Sequence, residues 1–188
     1  MRKSMLAVMV LLGVMLVSGL ACGGGGGSAP TPTPTPTATP DGGITTKMPE
    51  DIIPLTVLGF KLLQKYDWDK GFDACEYSAY SLFSPNPNTE FDGKVQDLLV
   101  TAFLFENDTS AIEWYMDTAG DGSPSTEIQV NGAAALVTYD NYRGEAAALQ
   151  SYGRLVILSD TTSPLGATTF DEQSLKDAAI EGLKAIRW

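Results

Sequence analysis

A stretch near the N-terminus that can form neither a helix nor the interior of a sheet limits what this chain can fold into. Five consecutive glycines at residues 23–27 are followed by an almost strict alternation of proline and threonine over residues 30–40. Glycine leaves the backbone flexible, and the proline repeat favours extended polyproline II at about 3.1 Å per residue. We therefore expect a linker here and a folded domain only after it, from Ile44 onward.

The residues before the linker are typical of a secretory signal. Arg2 and Lys3 give a positively charged start, and residues 5–17 form an almost unbroken apolar run. A helix that spans a bilayer needs about 20 apolar residues. The run is shorter than that, so it predicts a signal peptide and not a transmembrane anchor.

The signal ends in the sequence Val-Ser-Gly-Leu-Ala-Cys, residues 17–22. This stretch resembles the lipobox of bacterial lipoproteins. Ala21 and Cys22 fit the pattern, whereas Gly19 stands where the family usually has leucine. The resemblance implies cleavage after Ala21 and attachment of lipid to Cys22.

These boundaries divide the chain into a signal peptide over residues 1–21, a lipid-anchored linker over 22–43 and an extracytoplasmic domain over 44–188. The lipid on Cys22 would hold the domain on the cell membrane, facing outside the cytoplasm, because two or three acyl chains make an anchor durable. The alternative is an ordinary signal peptide, which would leave a secreted domain.

The chain is strongly acidic, with 12 basic and 23 acidic residues and a net charge of −11. Cleavage would remove two basic residues and no acidic one, which takes the net charge to −13. Anionic lipid surfaces should repel such a domain, and it has no basic stretch to follow phosphates. We therefore expect no nucleic-acid partner.

Only Cys75 remains as a thiol once Cys22 carries lipid, so the domain must fold without an intrachain disulfide. Its length makes this feasible, since a domain of about 145 residues buries roughly two-thirds of the surface of its unfolded chain.

Alternating apolar residues and turn signals predict seven strands, two of them in hairpins around Asn131-Gly132 and two around Tyr152-Gly153. Residues 95–105 are apolar on both faces, which is typical of a central strand covered on both sides. The predicted strands are 60–66, 74–83, 95–105, 127–130, 134–139, 146–151 and 154–159.

Two capping-box patterns, Ser110 with Glu113 and Thr169 with Glu172, predict two helices. Their expected core faces hold Ile112, Tyr115, Met116 and Ala119 in the first helix, and Leu175, Ala179, Leu183 and Ile186 in the second. We predict a single α+β domain, an antiparallel sheet of about five to seven strands with both helices packed on one face. This order of elements is similar to that of small domains in uncharacterised lipoproteins, and we transfer no function from it.

The chain contains no histidine, which excludes a Ser-His-Asp triad, a Cys-His pair and histidine-ligated metals or haem. Cys75 lies on the apolar face of a predicted strand with acidic neighbours, and both features disfavour a reactive thiolate. We expect a buried structural cysteine there. No cofactor and no bound metal are expected.

The densest acidic group is a possible calcium site, because carboxylate oxygens are the ligands that calcium prefers. It contains Asp67, Asp69, Asp73 and Glu76. Counting from Asp67, the EF-hand pattern fails at its fifth, sixth and twelfth positions, so a solvated turn between strands is the favoured interpretation and a calcium site of another type the alternative. A second acidic loop contains Asp117 and Asp121, and a helix C-terminal cap and turn is favoured there over a metal site.

Trp68 lies in a polar segment and is the candidate for an exposed aromatic residue that binds a ligand. The first hypothesis is therefore a membrane-tethered, non-catalytic domain that binds a protein or small-molecule partner outside the cell membrane. The alternatives are an accessory or structural subunit of a cell-envelope complex, and a hydrolase that uses carboxylates or an acquired metal.

Overall fold

A computed structural model describes residues 48–68, 74–119 and 124–187. The predicted order of strands and helices is confirmed, with one short helix added at the start. The elements are α1 (Pro49–Ile52), β1 (Phe60–Trp68), β2 (Cys75–Pro85), β3 (Asp97–Phe105), α2 (Asp108–Ala119), β4 (Ser125–Val130), β5 (Ala133–Asp140), β6 (Glu145–Tyr152), β7 (Leu155–Thr162) and α3 (Glu172–Lys184).

The seven strands form one antiparallel sheet in the order β1-β2-β3-β7-β6-β5-β4. Three strands run as a meander, α2 then carries the chain to the far edge, and the last four strands meander back until β7 pairs with β3. The α+β class and the single antiparallel sheet of the prediction are confirmed.

One face of the sheet carries most of the core and is called the α3 face. Alternate residues of the central strands, among them Val100 on β3 and Ile157 on β7, pack there against α3 and α1. Leu175, Ala179 and Leu183 of α3 are fully buried, as expected for the core face of that helix. Gly182 brings α3 close to the strands, because a Cβ at this position would collide with Ser159 Oγ and lie 2.9 Å from Val100 Cγ2.

The opposite face, called the α2 face, holds a smaller cluster in which Phe103, Leu149 and Val156 pack beneath Ala111 and Tyr115 of α2. The prediction that both helices pack on one face is therefore wrong. The chain reaches β4 by crossing this face, so α2 covers it, while α3 follows β7 onto the other. The double-sided burial of β3, predicted from its sequence, requires such a second layer.

The helix caps differ from those expected. Asn107 Oδ1 accepts a hydrogen bond from the Ser110 backbone N–H at 2.9 Å, and Asp171 Oδ1 accepts one from the Ser174 N–H at 3.0 Å. Asn107 and Asp171 are therefore the capping residues in place of Ser110 and Thr169. Asparagine and aspartate are caps at least as strong as serine and threonine. Ile112, expected in the core, is 42% exposed because α2 turns Ala111 towards the sheet.

No helix within residues 48–68, 74–119 and 124–187 is long and apolar enough to cross a membrane. The predicted signal peptide, the anchor at Cys22 and the linker lie outside the described residues.

Candidate functional site

The two ends of the sheet differ in how their strands are connected. At one end, called the turn end, short turns at Asn131-Gly132 and Gly153-Arg154 join neighbouring strands. At the other, called the loop end, lie the longer segments 53–59, 86–96, 141–144 and 163–171. Segments of that length on a rigid scaffold are where binding residues concentrate.

The chain joins the domain on the turn-end side. The Arg187 backbone N–H, just beyond α3, donates to Ile52 O at 3.1 Å. The α3 helix itself ends beside the first turn, because Asn131 Nδ2 donates to Leu183 O at 3.0 Å. The loop end is therefore the part of the domain turned away from residue 48.

Neighbouring loops of the loop end hold one another in place. The Ser163 N–H donates to Gly144 O at 2.9 Å, which joins segment 163–171 to the β5–β6 turn. The Leu165 N–H donates to Gln96 Oε1 at 2.8 Å, and Lys94 Nζ lies 3.3 Å from Asp171 Oδ2. These bonds join three of the four segments, and the Asn86 N–H, which donates to Gly59 O at 2.9 Å, connects segment 53–59 to them.

Three large apolar side chains project from this surface. Leu58 is 78% exposed, Leu165 is 91% exposed and Tyr142 is 95% exposed. Tyr142 is held in a fixed turn, because the Tyr142 and Arg143 N–H groups both donate to Asp140 Oδ1, at 2.7 and 3.1 Å. The exposure of these side chains therefore follows from defined backbone positions.

An open depression of about 780 Å³ lies between segment 86–96 and segment 163–171. Leu165 and Phe170 line it together with Lys94, Asp171 and Glu172. The N-terminus of α3 opens into it, but the Asp171 carboxylate already caps that helix and pairs with Lys94. The depression thus presents a mixed polar and apolar lining and a charge pair that is already satisfied.

The α2 face is covered only in its turn-end half. Towards the loop end the side chains of this face are half-buried, including Leu82, Leu99, Ala147 and Asp160 on four successive strands from β2 to β6. At the margin beyond β2, Tyr66 and Tyr80 stack with ring centroids 6.0 Å apart. This open half-face borders the loop end directly.

Three carboxylates from adjacent strands share the open half-face. Register places Asp97 on β3 and Glu145 on β6 on either side of Thr162 on β7. Asp160 lies two residues before Thr162 on the same strand and points to the same face. Burial, and the negative charge of Glu145, raise the pKa of Asp160 from 3.8 to about 7. Burial also raises the pKa values of Asp97 and Glu145.

Trp68, the predicted ligand-binding residue, ends β1 opposite Ser78. Its side chain lies outside the described part of the structure, so its role stays a prediction. Ala21 and Cys22 likewise lie outside the described residues.

Cys75 is buried, as expected, and its thiol donates to Tyr77 O at 3.2 Å. Burial raises the pKa of this thiol to about 11, which keeps it protonated. A bulge between Cys75 and Tyr77 turns the cysteine to the α2 face. Strict alternation along the strand would instead put Cys75 on the same face as Tyr77 and Ala79. A β-bulge inserts one extra residue and so reverses the alternation.

Each of the two acidic groups has one side chain in the described part of the structure, so whether either group binds a metal stays untested. Glu76 pairs with Arg154, and Asp117 is exposed on α2. Asp69, Asp73 and Asp121 lie outside the described part, as does the side chain of Asp67. In residues 48–68, 74–119 and 124–187 no three histidine, cysteine, aspartate or glutamate side chains are arranged to hold a metal ion.

Reasoning from the sequence missed the loop end and the carboxylate group of the open half-face. The available signals were a tyrosine and a leucine isolated in polar, glycine-containing loops, Tyr142 and Leu165. Asp97, Glu145 and Asp160 lie far apart in the sequence, and only the pairing of β7 between β3 and β6 brings them together.

Comparison with known proteins gives little to add to this description. No protein-family model matches the chain, and no curated protein matches it. Among solved structures, the chain is similar to a GTP binding regulator from Thermotoga maritima, with 11% identity over 71% of this chain and 84% of that one. The TM-score is 0.39, a value at which the likeness supports no argument about function.

Proposed function

We propose that this protein is a membrane-tethered, non-catalytic binding module that docks onto a protein partner through its loop end. The observation that carries the proposal is the exposure of Leu58, Tyr142 and Leu165, three large apolar side chains held in solvent at the same end of the sheet. Aromatic and apolar side chains surrounded by polar groups are typical of the centre of a protein interface.

The charges of the loop end indicate the chemistry of the partner. Asp140 and Glu145 flank the β5–β6 turn that carries Tyr142, and Arg143 in the same turn pairs with Asp140. Complementary charge speeds association and excludes wrong partners, so the partner should present a basic surface around an apolar contact. An anionic membrane would instead be repelled by this end.

The proposed anchor places the site for such a role. The lipobox-like residues 17–22 support a lipid on Cys22. The linker would then connect this lipid to residue 48, which lies on the side of the folded domain opposite to the loop end. The absence of histidine, together with the protonated, buried thiol of Cys75, supports a role without catalysis.

The docking proposal is tested by photocrosslinking on intact cells. The full chain carries benzoylphenylalanine at position 142 or 165, and, as a control, at position 112 on α2, which is also partly exposed. We expect one shared adduct from positions 142 and 165 and none from 112. The adduct from position 142 should disappear when Leu58→Ser and Leu165→Ser are added. Equal adducts at all three positions would refute the proposal.

The anchor has an independent test. Cys22→Ser should release the protein from membranes into the soluble fraction of lysed cells, because the lipid attachment point is lost. A variant that sediments with membranes as the parent does would contradict the lipid-anchor proposal and leave the docking proposal standing.

One observation favours the alternative of an assembly subunit. The edge strand β4 contains a single charge, Glu127, and no proline, whereas the other edge strand, β1, carries Lys61, Lys65 and a bulge. Unprotected edges pair readily with further strands. Native mass spectrometry of the full chain in detergent decides this: a dimer abolished by Gln129→Lys would support assembly through β4, and a monomer would exclude it.

A further inference from the structure

The open half-face carries carboxylates on three neighbouring strands. Asp97 and Glu145 are the cross-strand neighbours of Thr162, and Asp160 lies between Leu99 and Ala147. Asp160 is therefore a diagonal neighbour of both Asp97 and Glu145, and diagonal neighbours on one face are about 7–8 Å apart, still within reach of long side chains. No hydrogen bond or ion pair reaches the Asp160 carboxyl within the described residues.

We infer that Asp97, Glu145 and Asp160 form a proton-responsive group that makes the middle of the sheet less stable as pH rises from mildly acidic to neutral. The inference goes beyond the proposed docking function and does not depend on it.

The groups around Asp160 leave its charge uncompensated. Its direct cross-strand neighbours, Ala147 on β6 and Leu99 on β3, are uncharged, and the diagonal neighbours on those strands are the acids Glu145 and Asp97. The negative charge of Glu145 raises the pKa of Asp160 further. At the β5–β6 turn Arg143 is 3.7 Å from Asp140, so that cation is shared between Asp140 and Glu145. The α2 helix covers the other half of the face and presents Tyr115 there, buried, with a pKa of about 12.

The direction of the effect follows from proton linkage. The pKa of Asp160 is raised from 3.8 to about 7 in the folded domain, so between these values the folded state holds a proton that the unfolded state has lost. Stability then falls as pH rises through this window and levels off above it. Asp97 and Glu145, whose pKa values are also raised, act in the same direction.

The position of the group extends its effect to the loop end. Asp97 begins β3, Glu145 begins β6, and Thr162 ends β7, so each lies next to a loop-end segment. Deprotonation should therefore loosen the strand ends that carry Tyr142 and Leu165, which is measurable as faster amide hydrogen exchange in residues 158–162 at pH 8 than at pH 5.5, after correction for intrinsic rates.

The experiment compares thermal unfolding of the full chain with that of Asp160→Asn and of Glu113→Gln between pH 5 and 8.5. Glu113→Gln removes the same single charge from the exposed side of α2. We expect the Tm advantage of Asp160→Asn over the parent to grow by roughly 5 °C or more from pH 5 to 8, with no such growth for Glu113→Gln. A constant difference for both variants would overturn the inference.

A second measurement covers the case in which Asp160→Asn does not fold. The ¹³Cγ shift of Asp160 is followed by NMR in the parent chain, where a midpoint near pH 7 is expected, and in Glu145→Gln, where the midpoint should drop by a measurable amount. A parent midpoint below pH 5 would refute the inference on its own.

Discussion

The two faces of the sheet are built from the same strands but are buried to different extents. On the α3 face 27 buried residues form one cluster, whereas the cluster on the α2 face contains 9, within the part of the chain that the structure describes. Because apolar burial is the main source of stability, the α3 face stabilises the fold. The α2 face can therefore remain uncovered by a helix over half of its area, where partly buried polar side chains lie.

The two helices present different side chains to the strands. The α3 helix presents small residues, Ala178, Ala179 and Gly182, so its backbone lies close to β7 and β3. The α2 helix buries Ala111, Tyr115 and Ala119 in the smaller cluster on its face.

The largest expected effect comes from a matched pair on β7, since Leu155 faces α3 and Leu158 faces the α2 side. Leu155→Ala should cost about 3 kcal/mol of unfolding free energy, because it opens a cavity in a fully buried site. Leu158→Ala should cost about 1 kcal/mol, because this side chain is only half-buried. Urea unfolding of both variants measures the difference. Equal costs would show that the two faces contribute equally to stability at these positions.

A second prediction tests the close approach of α3. Gly182→Ala should cost about 2 kcal/mol, because the added Cβ collides with Ser159 Oγ and must push the helix away from β7. The double variant with Ser159→Ala should recover part of that loss, since the colliding hydroxyl is removed. If Gly182→Ala unfolds at the same urea concentration as the parent, α3 is not held close.

A third prediction concerns the hydrogen bond that joins α3 to the turn between β4 and β5. Asn131 has φ +53 and its amide donates to Leu183 O. Asn131→Gly keeps the turn conformation and removes the amide, and should cost about 1 kcal/mol. Asn131→Ala should cost about 1 kcal/mol more, because alanine is strained at positive φ. An Asn131→Gly variant as stable as the parent would show that the side-chain bond contributes nothing.

The smallest effect is expected on the α2 side, where Glu76 pairs with Arg154 at the surface. Glu76→Gln should cost about 0.5 kcal/mol, since exposed ion pairs contribute little. Arg154→Ala should cost more, because Arg154 Nε also donates to Phe105 O at 2.7 Å. Thermal unfolding at low and high salt separates the two: only the ion-pair part should weaken in salt.

Much of the fold could be predicted because its signals are local. Asn131-Gly132 has the positive φ values that a two-residue hairpin requires, and it forms the predicted turn. The apolar faces of the last helix and the double-sided burial of β3 were also correct. In each case neighbouring residues contain the whole pattern.

The errors arose where distant residues decide the outcome. The covering of β3 on both faces implied a layer on each side, yet which helix lies on which face depends on the path from β3 to β4. Cys75 changed face because of one inserted residue, which alternation alone does not reveal. Tyr142 and Leu165 are local signals, but strand order decides that their loops meet at one end of the sheet and that Asp97, Glu145 and Asp160 share one face.

The bond between Arg187 and Ile52 has a mechanical consequence. If the domain is tethered and docks as proposed, load from the linker would reach it at α1, on the turn-end side, and a partner at the loop end would pull from the opposite end. The line between these two points runs along the strands, perpendicular to the hydrogen bonds between them. Hydrogen bonds loaded in this direction act together in shear and do not open one after another.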